Sequence, residues 1–348
     1  MTTLRHRLLG RSALRVSELC LGTMTFGTEW GTGADAAESR RIFDAYAAVG
    51  GNFLDTANRY TEGTSERLVG EFIAADRDHF VVATKYTLFD RKGDPNFAGN
   101  HRKNLVRSLE GSLKRLKTDH IDLFWIHAWD AITPLDEVMR ALDDQVRLGK
   151  ILHVGISDAP AWVVSRMHTL AEWRDWTPFT ALQVEYSLVM RDAERDLIPM
   201  ARHLGLPITP WSPLGRGLLT GKYTDAARAT EPKRLNPATS LMVNERSLGV
   251  ARTVDAIATR LGKPPAQVAL NWVRQQGLDM LPIVGARSAT QFAQNLEALA
   301  WRLDDAAMAE LSAASAIPLG FPHEFLASAN VQDLVHAGTQ STLDRPRP

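Results

Sequence analysis

The chain has 348 residues, 45% of them hydrophobic and 23% charged, an ordinary globular composition. Its 40 Lys and Arg balance 40 Asp and Glu, so no net field draws it to nucleic acid or to an anionic membrane surface. One cysteine, Cys20, excludes an internal disulfide framework and a multi-cysteine metal site, and no apolar run approaches a membrane span. The opening MTTLRHRLLG has no hydrophobic signal region, so a cytoplasmic protein without a bound metal is expected.

In chain order, Leu4–Leu9 and Leu14–Val16 around Gly10-Arg11-Ser12 predict a β-hairpin within residues 1–18. Short apolar runs then alternate with helix-period segments. The runs are Leu19–Phe26, Asn52–Ala57, Val81–Tyr86, Ile121–His127, Ile151–Ser157, Thr180–Tyr186, Pro207–Ser212 and Leu281–Gly285. Eight such runs, each followed by a helical segment, predict an α/β fold: a (β/α)8 barrel over residues 19–317, its far end closed by the hairpin. Leu105, Leu109, Leu113 and Leu116 form one apolar helix stripe. Thr133-Pro134-Leu135-Asp136 reads as a capping box ahead of a stripe of Leu135, Val138, Leu142 and Val146, with Gly149 as the stop.

Leu214–Val243, with Gly215, Gly217, Gly221, Pro232 and Pro237, is too long for a passive joint and follows the seventh strand, at the expected mouth. Its glycines lack the G-x-G-x-x-G spacing, so they read as a flexible lid rather than a dinucleotide fingerprint. The tail, residues 318–348, has little periodicity, and its last ten residues are expected to be disordered. No linker marks a second domain.

Polar residues stand where packing would not choose them. Asp55, Lys85 and His127 end successive strand candidates, and Tyr60 follows Asp55 closely. In a barrel of parallel strands those ends converge on one mouth. Carbonyl reduction needs a hydride at carbon and a proton at oxygen, and a tyrosine can give the proton if a nearby cation lowers its pKa. Lys85 is that cation, Asp55 its partner, and His127 orients the substrate oxygen. Taken singly, each residue also has a structural reading, as an ion pair, a backbone hydrogen bond or a surface aromatic. Gathered on one face, they favour chemistry.

The run Asp55-Thr56-Ala57-Asn58-Arg59-Tyr60, with Gly63, Ser65 and Glu66 behind it, resembles the aldo-keto reductases. So do Ala83-Thr84-Lys85, Ile121–His127, Val154–Ser157, Leu182–Ser187, Trp211–Leu214, Pro282–Gly285 and Gln291–Asn295, in order along nearly the whole chain. The resemblance implies a TIM barrel binding NADP(H) across its mouth, with Asp55, Tyr60, Lys85 and His127 as catalytic tetrad.

For the cofactor, Ser157, Asp158 and Gln183 are placed to hold the nicotinamide carboxamide and Trp211 to stack on the ring. Gly22, Thr23 and Met24, and Ser212, Pro213, Leu214 and Gly217, flank them. Gly285-Ala286-Arg287-Ser288 opens a helix capped by Ser288 and Gln291, whose amides and dipole suit a phosphate. By resemblance, Arg287, Gln291 and Asn295, with Gln294 beside them, hold the adenosine and its 2′-phosphate, and Lys222 and Arg234 close over the phosphates. NADPH is favoured over NADH. Many relatives carry asparagine where this chain has Asp158, which when ionised only accepts hydrogen bonds.

Phe26, Trp30, Tyr86, Phe89 and Trp129, with Met24 and Phe321, are candidates for a pocket suited to apolar or aromatic aldehydes and ketones. Two other functions fit parts of the pattern. The chain also resembles beta subunits of voltage-gated potassium channels, which implies a redox-sensing subunit. A Schiff-base aldolase with Lys85 as nucleophile is the third reading.

Overall fold

The computed structural model describes residues 3–225, 230–231 and 233–344. Pro232 and the last four residues of the tail therefore lie outside the described residues.

Strands β1 (His6–Leu8) and β2 (Arg15–Ser17) pair antiparallel as the expected hairpin, His6 opposite Ser17. Gly10 turns it at φ 63°, and any Cβ there would lie 2.6 Å from the Thr180 carbonyl oxygen. Eight parallel strands follow: β3 (Cys20–Gly22), β4 (Phe53–Asp55), β5 (Val81–Tyr86), β6 (Ile121–Ile126), β7 (Ile151–Ser157), β8 (Phe179–Glu185), β9 (Ile208–Trp211) and β10 (Ile283–Val284). They run side by side in chain order, with β10 returning to pair with β3. Ile208 donates to the Asp279 carbonyl and Leu281 to that of Ile208, both at 2.8 Å, which joins β9 to the approach of β10 and closes the ring.

Helices α1 (Ala36–Ala47), α2 (Thr64–Ile73), α3 (Arg102–Leu116), α4 (Leu135–Arg147), α5 (Ala161–Trp173) and α6 (Leu197–Leu204) fill the successive crossovers from β3 to β9. The last long crossover holds α7 (Glu245–Leu261) and α8 (Pro265–Arg274); α9 (Ala289–Leu296) and α10 (Asp305–Ala314) follow β10. The α3 stripe is buried as its spacing predicts. The capping box expected at Thr133 does not form. Pro134 is itself the cap, because the Asp130 carboxylate takes both the Thr133 amide (2.9 Å) and its hydroxyl (2.6 Å). The tail carries two short helices, α11 (His323–Ala327) and α12 (Ala329–Val335).

The core has two layers. Between strands and helices lies the larger one. Inside the ring, Leu9 and Val16 of the hairpin meet Cys20, Phe53, Leu123 and Trp125 from the strands. Trp125 fits there because its β7 neighbour is Gly155, where any Cβ would stand 2.3 Å from the indole. This apolar plug fills the end at which the strands start and leaves the opposite end free for polar side chains.

Candidate active site

Asp55 closes β4, Lys85 lies in β5, and His127 follows β6, so three neighbouring strands bring them together. Lys85 is fully buried, and its ammonium donates to Asp55 Oδ2, to the Thr56 carbonyl at 2.8 Å and to the Tyr60 hydroxyl at 3.1 Å. The other Asp55 oxygen accepts the Gln183 amide at 3.0 Å. Every N–H of the buried cation is thus used, as burial of a charge requires.

Tyr60 depends on a strained loop. Thr61 (φ 45°) and Glu62 (φ 53°) adopt left-handed backbone ahead of Gly63 (φ 83°). Such residues cost about 1–3 kcal/mol each and persist only where their surroundings hold them. Thr61 donates its hydroxyl to the Phe26 carbonyl at 2.6 Å, and Ser65 lies 2.8 Å from both the Thr23 and Thr56 hydroxyls. Buried Glu66 accepts from Thr84 (2.5 Å) and Arg115 (2.6 Å). The Ser65-Glu66 pair in the family-like motif therefore holds the loop that carries the tyrosine.

His127 stands edge-on to Tyr60, ring centres 5.9 Å apart, and its buried Nδ1 has no hydrogen-bond partner among the described residues. Burial, helped by the Lys85 charge, holds its pKa well below the ordinary histidine value, so the ring is neutral. Burial alone would pull Lys85 down, but Asp55 and then Tyr60 outweigh it and the pKa rises. For Tyr60 the expected lowering is overturned. Burial raises its pKa, Lys85 opposes that, and Asp55 adds to it, so the net shift is upward.

Asp55, Tyr60 and His127 line a cavity of about 750 Å³, with Lys85 packed behind them. Gly22 and Met24 of the β3 end lie on its wall. Thr23, between them, is turned away and donates to the Asp55 carbonyl at 2.9 Å, as strand alternation demands. Ser157, Asp158 and Gln183 line the neighbouring wall, although the Gln183 amide is engaged with Asp55. Asp158 accepts the Trp211 indole N–H at 3.2 Å, which fixes the ring, and burial raises the Asp158 pKa.

Ser212, Pro213, Leu214, Gly217, Lys222 and Arg234 continue the wall through the long connection, and Gly285, Arg287, Gln291, Gln294 and Asn295 complete it. The cations there crowd one another: burial lowers the Arg234 pKa, and the charges of Arg216 and Arg287 lower it further. Such a cluster suits an anion. Two of the amides at the start of α9 already have partners. Ala289 donates to Glu38 Oε1 (2.6 Å) and Gln291 to Ser288 Oγ (3.2 Å), while the Gln291 side chain reaches back to the Arg287 amide (3.3 Å).

Of the aromatic candidates, Trp30 lies on the cavity wall, edge-on to Tyr60 at 6.4 Å. Phe26 and Tyr86 do not. Both are fully buried, Phe26 against Phe72 and Tyr86 stacked on Phe124. Trp129 packs on the outer core, Phe89 lies under the Arg59 guanidinium, and Phe321 is 85% exposed beside Phe325. Sequence reasoning missed Arg59, Leu88, Arg216, Tyr223, Lys233 and Pro264–Ala266, all on the wall. Arg59 and Arg216 sit inside motifs already singled out, which was a usable signal. Pro264–Ala266 reach the cavity only through the folding of α7 against α8, and nothing local marks them.

The sequence matches the model of the aldo/keto reductase family over residues 18–316, and the chain belongs to that family. It is therefore an oxidoreductase that works with a nicotinamide cofactor between carbonyl and alcohol in small molecules. It is 38% identical over 332 residues to an aryl-alcohol dehydrogenase of Pestalotiopsis microspora, covering 92% of this chain and 85% of that protein. A norsolorinic acid reductase of Aspergillus flavus is 37% identical (92% and 84% covered). An aryl-alcohol dehydrogenase [NADP(+)] of Phanerodontia chrysosporium is 36% identical (95% and 91% covered). Among the described residues no helix is long and apolar enough to cross a membrane.

Proposed function

We propose that the enzyme reduces aromatic or apolar aldehydes and ketones to alcohols with NADPH, reversibly, using Tyr60 as proton donor. The observation that carries this is the buried Lys85 ammonium, bonded at once to Asp55 and to the Tyr60 hydroxyl on the cavity wall. Bound nicotinamide supplies the hydride. Tyr60, protonated at neutral pH, gives its proton to the carbonyl oxygen, and Lys85 stabilises the tyrosinate left behind. Neutral His127, on the cavity wall, orients that oxygen through its ring. Trp211, pinned by Asp158, offers the flat partner for the nicotinamide ring, and Ser157 and Gln183 face its carboxamide. Gly22 and Gly285 let backbone approach closely, since a Cβ at Gly285 would lie 2.9 Å from the Gly22 carbonyl oxygen. Arg234 and Lys222 meet the phosphates, and Arg287 with Gln291 and Asn295 the 2′-phosphate end. Trp30 and Met24 form the apolar side facing substrate, and the aryl-alcohol dehydrogenase names of two relatives support an aromatic one. The Schiff-base reading loses its footing, because Asp55 and Tyr60 keep Lys85 protonated and a protonated amine is no nucleophile.

Tyr60→Phe tests the assignment. Carbonyl reduction should fall by about 10²–10⁴-fold, while NADPH titration followed by tryptophan fluorescence stays near wild type. Undiminished turnover in that variant would sink the role of Tyr60.

A further inference from the structure

A depression of about 1120 Å³ lies away from the active site, where the hairpin meets the end of α8 and the residues after α9. Arg5, Arg7, Arg11, Arg202, Arg274 and Arg302 line it, against only two carboxylates, Glu18 and Asp279. Asp279 is held by Arg202 at 2.9 Å. Glu18, itself buried, is shared: its Oε2 accepts from both Arg7 and Arg274 at 3.2 Å. Arg5 and Arg302 have no ion-pair partner among the described residues, so the depression carries a surplus of positive charge.

One member sets this apart from a solvated basic surface. Arg274 is only 8% exposed, and although its terminal nitrogens bond Glu18, Asn271 Oδ1 and the Ala298 carbonyl, its buried Nε–H has no partner. A buried guanidinium with an unused donor, facing like charges from Arg7 and Arg302, is an incomplete arrangement. An anion of high negative charge offsets that crowding of like charges, and guanidinium forks match phosphate oxygens in geometry.

We propose that this depression at the closed end of the barrel binds a compact polyphosphate anion, gripped by Arg5, Arg302 and Arg274. The occupant ties the hairpin to α8 and to the segment after α9, and so stabilises the end remote from catalysis.

Calorimetric titration of inorganic pyrophosphate into enzyme kept in saturating NADP+ tests this, since the excess cofactor keeps the probe from the cation cluster at the mouth. Saturable binding is expected, with the dissociation constant raised at least tenfold in Arg5→Gln/Arg302→Gln, whose side chains are exposed and unpaired, so that the fold and turnover are retained. Absence of saturable binding, or an unchanged constant in the double variant, overturns the proposal.

Discussion

Where its strands begin, the barrel is filled by Leu9, Val16, Phe53 and Trp125; where they finish, equally buried positions hold Asp55, Lys85 and Gln183. The first group is held by non-directional burial of apolar surface and tolerates exchange for similar shapes at modest cost. The second tolerates almost none, because each buried charge exists only by virtue of its partner. The hairpin makes this division possible. By plugging the starting end, it lets the barrel keep a packed core while the finishing end is given over to a chain of hydrogen bonds running from Gln183 through Asp55 and Lys85 to Tyr60.

The sharpest way to break the comparison is Lys85→Met. Asp55 would keep only its Gln183 contact, and Tyr60 would lose its cation. Turnover should drop about 10²–10⁴-fold, and urea unfolding should show about 3–5 kcal/mol lost, the cost of breaking a buried ion pair. Wild-type turnover in that variant would remove the cation from the mechanism.

Leu9→Ala attacks the other end. It should cost about 2–5 kcal/mol of stability and leave kcat/KM of the folded enzyme unchanged. If activity fell in step, the two ends would not be separable.

Arg287→Ala asks how far the mouth extends. Losing one charge-assisted contact, worth about 1.5–3 kcal/mol, should raise the NADPH dissociation constant by an order of magnitude or more and leave NADH binding nearly unchanged. Equal losses for both cofactors would refute the 2′-phosphate assignment.

The smallest effect concerns pH. With the His127 pKa depressed and that of Tyr60 raised, both groups keep one protonation state from about pH 7 to pH 9, and kcat/KM for reduction should be flat there. Stability changes on the acid side. His127 and His168 have folded pKa values lowered by burial, so below about pH 6.5 the unfolded chain takes up protons first. Their contribution is complete above that pH and lost as pH falls towards the folded values. Melting temperatures that do not fall between pH 7.5 and 5.5 would contradict it.

Much of this was legible in advance, for identifiable reasons. All eight strands announced themselves as short apolar runs, and Asp55, Lys85 and His127 stood out because no packing argument wanted them there. The misjudged residues share a different cause. Phe26 and Trp30 lie on the same connection, yet one is fully buried and the other lines the cavity. An aromatic side chain serves either role, and composition does not separate them. Thr133 lost its capping role to Asp130, three residues upstream, through a competition for donors that a capping motif does not reveal.

What the sequence by itself determined was the strand–helix rhythm, the hairpin, and the set of polar residues at the strand ends. These depend on side-chain periodicity and turn chemistry, both local properties. Only the tertiary structure decided that Gln183 completes the Asp55 pair across 128 residues of chain, that Gly155 makes room for Trp125, and that Tyr60 is shifted up rather than down. Each of those depends on which distant segments meet and how much water they exclude, and the balance between burial and charge exists only once the ring has closed.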